Sequence, residues 1–255
     1  MRAITLLTDF GTADYFVGAM KGVILSINPQ AVIADITHEI PAQDVAAGAF
    51  TLIAAYDTFP AGTVHVAVVD PGVGSARRPI VVSAGEYLFV GPDNGTFTYI
   101  FDRHPVFAAF HITETKYFRH PVSNTFHGRD IFAPVAAALS TGVNPTSLGP
   151  PISDPIRLSL SAEPQIIHVD RFGNLITNIT RDTFKDGASL AVNGRVISVF
   201  RNFFGEDVGE ADEPFAIWGS AGFLEIAVNG GSAAELLRGK RGYRVTLDSP
   251  NSFTS

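Results

Sequence analysis

An α/β domain built on a mainly parallel sheet, followed by a smaller all-β, barrel-like domain, is the fold class the sequence predicts. Three observations carry it: β-branched runs alternate with helix-period segments in the first half, a proline cluster interrupts the chain near its middle, and short strands between turn signals fill the remainder. The chain has 255 residues, of which 46% are hydrophobic and only 17% charged. That is enough apolar material for two cores, and it excludes a disordered chain.

Ala3–Thr8 has the composition of a strand, and Phe16, Met20, Val23, Ile24 and Ile27 recur at helical spacing after it. Val32–Ile36 is a second strand, Asp44–Tyr56 a second helix with Val45, Ala49, Leu52, Ile53 and Tyr56 on one face, and Thr63–Val69 a third strand. This βαβαβ order predicts parallel pairing. Runs at Ile80–Ser83, Tyr87–Val90 and Val106–Ile112 extend the sheet, and the alanine-rich Asp130–Thr141 is a helix opened by an acidic residue. Pro145, Pro150, Pro151 and Pro155 with Gly149 mark a boundary, because proline at that density continues neither a helix nor a sheet interior. The expected division is therefore 1–150, a linker 151–163, and 164–255. In the last part Gln165–Val169, Ser189–Val192, Val196–Phe200, Phe215–Trp218, Leu224–Val228 and Tyr243–Leu247 are strands and Ala233–Leu237 a short helix, a pattern that suits a small antiparallel barrel or sandwich.

Composition removes several function classes. Eighteen Lys and Arg against 25 Asp and Glu give a net charge of −7, with the positive residues scattered, so nucleic acid is not an expected partner. There is no cysteine, which excludes disulfides, thiolate metal sites and a cysteine nucleophile. Met1–Asp9 meets a carboxylate too early for a secretory leader. The longest apolar stretch, near Val45–Ala55, is also shorter than the ~18 residues of a membrane span, so a cytoplasmic location without membrane contact is expected.

Ligands of an open parallel sheet bind beyond the carboxyl ends of its strands. Asp9, Asp35, Asp70 and Asp93 lie in or just after predicted strands, and their loops should converge on one crevice; the alternative for each is a helix cap or turn. Gly72–Arg78 lacks the lysine of a phosphate-binding loop, but its glycines let Asp70 and Arg77 fold back onto one another, as a functional or merely structural ion pair. His127 precedes a helix beside Gly128, where a histidine can titrate, orient water or simply satisfy a loop. Neither His38-Glu39 nor His127 with Asp130 has metal-ligand spacing, so no metal is implied. Asp170-Arg171-Phe172-Gly173-Asn174 sets an aromatic face beside an amide, which suits a purine and equally an ordinary hairpin turn.

Leu7-Thr8-Asp9-Phe10-Gly11-Thr12, Val69-Asp70-Pro71-Gly72-Val73-Gly74, Phe126-His127-Gly128-Arg129-Asp130, Asp170-Arg171-Phe172-Gly173-Asn174 and Gly222-Phe223-Leu224-Glu225-Ile226-Ala227 occur in that order along the chain. Together they resemble the S-adenosylmethionine hydroxide adenosyltransferases, which are related to the fluorinase and chlorinase. The resemblance implies a homotrimer with each active site between the N-terminal domain of one subunit and the C-terminal domain of the next. It implies conversion of S-adenosylmethionine and water to adenosine and methionine, with no cofactor. It assigns Asp70, Arg77 and His127 to water, Asp9 to the ribose hydroxyls, and Phe172 and Asn174 to adenine, with Val228 and Gly230 adding backbone contacts. Asp14, Asp170, Ser220 and Glu225 fall at the methionine end. The halogenase relatives carry an aromatic residue in place of Asp70 and the fluorinase a serine in place of Gly128, which favours water over halide here. Ala221 stands where the fluorinase has an arginine that grips the methionine carboxylate. A halide-dependent transferase and a non-catalytic nucleoside-binding protein are the alternatives, and Asp70 argues against the first.

Overall fold

The computed structural model describes residues 2–184, 188–206 and 213–248; the end of the second predicted domain, 249–255, lies outside them. The chain divides into two compact units, 1–158 and 159–255.

The first unit contains β1 (Ile4–Thr8), α1 (Phe16–Ile27), β2 (Ile33–Thr37), α2 (Val45–Ala55), β3 (Val64–Val68), β4 (Pro79–Ala84), β5 (Tyr87–Pro92), α3 (Thr98–Arg103), β6 (Phe107–His111), α4 (Ala133–Ser140) and β7 (Pro151–Ile152). Its sheet runs β2-β1-β3-β5-β4-β6-β7. The pairs among β2, β1, β3 and β5 are parallel, whereas β5–β4, β4–β6 and β6–β7 are antiparallel. The sheet is thus mixed rather than mainly parallel. The reason is visible between β4 and β5: only Gly85 and Glu86 separate Ala84 from its partner Tyr87, and a two-residue link can only make a hairpin.

The parallel half sets up the site. β1 and β3 are fully buried neighbours in register, Thr8 opposite Val68, so the loops that follow them leave the same edge of the sheet. α2 is capped by Asp44, whose side chain accepts from the Ala47 amide at 3.0 Å. α4 is buried on every side, as its alanines and Val135 and Leu139 allow, and is the central helix of the core beneath β1 and β3. The segment expected as a helix from Asp130 begins earlier, in a π-helical turn Gly128–Phe132 that runs into α4.

Residues 151–158, expected in the linker, belong to this unit. Pro151 and Ile152 add an edge strand to β6, where a proline costs no interior ladder bond. The Ile156 amide donates to Asp93 at 2.7 Å and the Leu158 amide to Thr98 at 2.8 Å.

The second unit contains β8 (Ile166–Val169), β9 (Leu175–Thr180), β10 (Ser189–Val192), β11 (Arg195–Ile197), β12 (Val199–Arg201), β13 (Pro214–Trp218), β14 (Phe223–Val228), α5 (Ala233–Leu236) and β15 (Thr246–Asp248). They form a five-stranded sheet, β12-β13-β14-β9-β8, and a three-stranded one, β11-β10-β15. The sheets share one core, in which Leu190 and Val192 pack with Leu175, Leu224 and Ile226. The single strand expected over Val196–Phe200 is broken at Ser198: β11 pairs antiparallel with β10, while β12 crosses to the other sheet and pairs parallel with β13. Among the described residues no helix is long and apolar enough to cross a membrane.

Candidate functional site

In the first unit the loop after β3 turns back on itself. Ser75 donates its hydroxyl to the Gly72 carbonyl at 2.7 Å, and Gly74 has φ +77° with its Cα against the Asn124 carbonyl, where any side chain would overlap that oxygen. The turn brings Arg77 onto Asp70. Arg77 Nε donates to Asp70 Oδ1 at 3.0 Å and Oδ2 at 2.9 Å, and Arg77 Nη2 donates to Oδ2 as well. Both side chains are nearly inaccessible, 8% exposed for Arg77 and 5% for Asp70, and the guanidinium lies over the Phe132 ring. Arg77 Nη2 also reaches His127 Nδ1 at 2.7 Å. Because a guanidinium only donates, Nδ1 is the acceptor and the neutral ring carries its proton on Nε2. Burial and the Arg77 charge push the His127 pKa below its ordinary value against the opposing pull of Asp70 and Asp130. Arg77 Nη1 is buried and has no hydrogen-bond partner among the described residues. Three residues from two distant stretches of sequence, the 70–77 loop and His127, therefore meet around an unused cationic N–H.

Asp130 anchors the loop that carries His127. Its carboxylate is fully buried and accepts from Arg129 at 2.7 and 2.8 Å, from Arg119 at 3.2 Å and from the Ser123 amide at 2.9 Å. Burial alone would raise its pKa; these donors, Arg129 foremost, outweigh it and hold the carboxyl below the usual range.

Asp9 leaves β1 on the same edge of the sheet as Asp70. The Gln43 amide donates to Asp9 Oδ2 at 2.7 Å, from a residue held at φ +65°. Behind Asp9, the buried Thr8 hydroxyl meets His38 Nδ1 at 2.9 Å, His38 Nε2 lies 3.2 Å from Asp35, and Lys21 donates to Asp35 at 2.6 Å. Asp14 is exposed just ahead of α1. Of the four aspartates expected at one crevice, Asp35 and Asp93 are committed elsewhere. Asp35 joins the Lys21–His38 chain, and the buried Asp93 accepts from Arg78 at 2.8 Å and from the Ile156 amide.

In the second unit Asp170, Phe172, Asn174, Ser220, Glu225, Val228 and Gly230 all line one cavity of about 810 Å³. It is framed by two hairpin turns, 170–174 between β8 and β9 and 219–222 between β13 and β14. Asp170 spends both oxygens on its own turn: Oδ1 accepts from the Phe172 and Asn174 amides at 2.9 and 2.8 Å, and Oδ2 from Asn174 Nδ2 at 2.9 Å. That fixes Asn174 and presents the Phe172 ring, which is 76% exposed. Glu225 is half-buried, and burial together with the nearby Asp170 charge pushes its pKa up.

Sequence reasoning missed Gln43, Asp130 as an anchor, and the Trp218 and Phe204 rings that also line the cavity. Asp130 had a signal in its neighbour Arg129; Gln43 had none, since glutamine does not advertise a left-handed backbone. Among the described residues, no three His, Cys, Asp or Glu side chains are grouped as metal ligands.

Family models for the SAM hydroxide adenosyltransferase N-terminal and C-terminal domains match residues 4–149 and 164–246. An (R)-S-adenosyl-L-methionine hydrolase of Thermus thermophilus is 40% identical, covering 97% of this chain and all of that one. One of Methanocaldococcus jannaschii is 39% identical over 92% of this chain and 91% of its own. A fluorinase of Actinoplanes is more distant, at 27% over 96% of each. A solved structure of an uncharacterized conserved protein from Thermotoga maritima superposes with a TM-score of 0.89 at 36% identity, covering 96% of this chain and all of that one.

Proposed function

Since this chain belongs to the SAM hydroxide adenosyltransferase family, we propose that it is an S-adenosyl-L-methionine hydrolase, acting on the (R) sulfonium epimer named for its relatives and releasing adenosine and L-methionine. The observation that carries this reading is the Asp70–Arg77–His127 cluster at the carboxyl edge of the sheet.

Water attacks the ribose C5′ in line with the C5′–S bond. The bond pair leaves on sulfur, which departs as a neutral thioether, so no acid is needed there. A water with hydroxide character meeting a sulfonium loses charge in the transition state, and such a step gains from apolar surroundings, such as the Phe132 ring under the Arg77 guanidinium, instead of bulk water. Asp70 Oδ1 accepts only one bond from Arg77 and keeps lone pairs for the water. His127, with Nδ1 tied to Arg77, has no free lone pair on its neutral ring, so Asp70 takes the water's proton and His127 Nε2–H orients the oxygen. The free Arg77 Nη1–H favours the oxyanion-like nucleophile. Orientation of this kind contributes several kcal/mol to a displacement.

Asp9 holds the ribose hydroxyls, with one oxygen positioned by Gln43. Phe172 stacks on adenine, and Asn174, its Nδ2 committed to Asp170, offers its carbonyl oxygen to the base's amine. Val228 and Gly230 add backbone contacts, and Asp14, Ser220 and Glu225 face the methionine end. The reaction uses no cofactor. The active form is a cytoplasmic homotrimer in which the first unit of one copy serves the second unit of the next. The exposed Tyr15, Phe172, Phe203 and Phe204 support it, as apolar surface that assembly would cover.

Incubation with the (R) epimer in H₂¹⁸O tests this: adenosine carrying the label on its 5′ oxygen is expected, together with methionine. Binding without turnover, or a 5′-chloro product that appears only with chloride, would overturn it.

A further inference from the structure

The cavity of the second unit carries charge of one sign only. Asp170 and Glu225 are the charged side chains among the described residues that line it; Arg171 of the framing turn and Arg181, over the Trp218 ring, are not part of that lining. Asp170 is occupied by its own turn. Glu225 is not: no described residue donates a hydrogen bond to it. Its carboxyl reaches the cavity only because residue 219 is glycine, since a Cβ there would overlap Glu225 Oε1. The fold thus reserves space for an unpaired carboxylate at a half-buried position, which is costly unless a cation arrives to meet it.

Resting on the reading as an S-adenosylmethionine hydrolase, we propose that this pocket recognises the positive charge of the substrate's sulfonium arm through Glu225 and leaves the α-carboxylate unread. The enzyme then also hydrolyses sulfonium nucleosides whose arm keeps the amine but lacks the carboxylate, decarboxylated S-adenosylmethionine being the simplest. The arm of S-adenosylmethionine carries a sulfonium, an ammonium and a carboxylate, a net +1; without the carboxylate it carries +2 and brings no negative group toward Asp170 and Glu225. The chemistry is unchanged. The water oxygen bonds to C5′, the C5′–S bond breaks with its electron pair going to sulfur, and the water loses one proton to Asp70, which passes it on to solvent. The products are adenosine and 3-(methylthio)propylamine.

The test compares kcat/KM for the two compounds on the full-length wild-type chain, following adenosine by chromatography. The decarboxylated compound is expected within about threefold of S-adenosylmethionine or faster. Glu225→Gln is expected to lower its kcat/KM by about tenfold or more, and S-adenosylmethionine's by less, because the neutral amide also relieves the like charge facing the carboxylate. If the decarboxylated compound is more than about 100-fold slower while S-adenosylmethionine turns over, the carboxylate is read and this proposal falls, leaving the hydrolase reading intact. If neither compound is hydrolysed, both fall. Equal losses for the two compounds in Glu225→Gln would also overturn it.

Discussion

The two regions that carry the proposed site are built on opposite plans. In the first unit Asp70, Arg77, His127 and Asp130 are tied to one another or to neighbours by short charged hydrogen bonds, so their positions are set before any ligand binds. In the second, one aromatic ring is left largely exposed and one carboxylate, Glu225, has no partner among the described residues. On the proposed function, the difference separates two tasks. Groups that act on a water must be preorganised, because their reorganisation would be paid for in the transition state; groups that grip a nucleoside can stay unsatisfied, because the ligand itself completes them.

The largest effect should come from breaking the preorganised half. Asp70→Asn keeps the shape of the side chain but removes the charge that Arg77 is built around and the acceptor for the water's proton. A loss of about 10³-fold in kcat is expected, with KM for S-adenosylmethionine changed by less than about threefold. The same substitution leaves a nearly buried guanidinium short of its partner, a loss of roughly 3 kcal/mol or more in stability. Steady-state kinetics beside a thermal melt separates the two, and wild-type kcat in a folded Asp70→Asn protein would remove Asp70 from the chemistry.

Preorganisation also makes the first unit sensitive to acid, through a residue outside the site. His65, on β3, the strand that leads to Asp70, is fully buried, bonded to Thr5 at 2.7 Å and stacked on Phe89, with its Nε2 unpartnered among the described residues. Burial pushes its pKa down to about 4. The unfolded chain binds this proton near pH 6.5, so between those values the unfolded state holds more protons. Stability is therefore whole above about pH 6.5 and declines toward pH 4, by roughly 3 kcal/mol in all. The second unit's one histidine, His168, is only partly buried. Denaturant midpoints from pH 7 to 4 should decline steeply for the wild type and less so for His65→Phe; parallel curves would contradict the assignment.

Third in size is His127. It accepts from Arg77 only when neutral, and burial and Arg77 both favour the neutral form. The kcat profile should fall on the acid side with an apparent pKa below the ordinary imidazole value of about 6.5, and His127→Gln should abolish that limb at a cost of about 100-fold. An acid limb centred above pH 6.5 would contradict the tautomer deduced here.

The same contrast explains what was legible in the sequence. β1, α1, β2, α2 and β3 follow from hydrophobic period alone, since each is decided by its own residues. The antiparallel half of the first sheet hung on the two-residue Gly85-Glu86 link, whose length says more about direction than the strands do. Ser198, where the chain changes sheets, has no local signal because both flanking segments are β-formers. In the site, the Asp70–Arg77 approach was readable from the glycines between them, and the cavity residues from two turn motifs. Asp35 and Asp93 were not distinguishable from Asp9 and Asp70 by position, because their partners Lys21, His38 and Arg78 are set by packing between elements.

The smallest expected effect sharpens the comparison most. Phe172 is held by the Asp170 turn but packs little of its ring against the chain, so Phe172→Ala should leave the melting temperature nearly unchanged. What it removes is a stacking surface for the base, worth about 1–1.5 kcal/mol, or about a tenfold rise in the Kd for adenosine by calorimetry and in KM for S-adenosylmethionine. kcat should stay within about twofold, because the ring grips ground state and transition state alike. Phe172→Tyr keeps the face and should restore affinity. If Phe172→Ala instead lowers kcat as far as kcat/KM, the binding half takes part in the chemical step, and the division of labour between the two units is wrong.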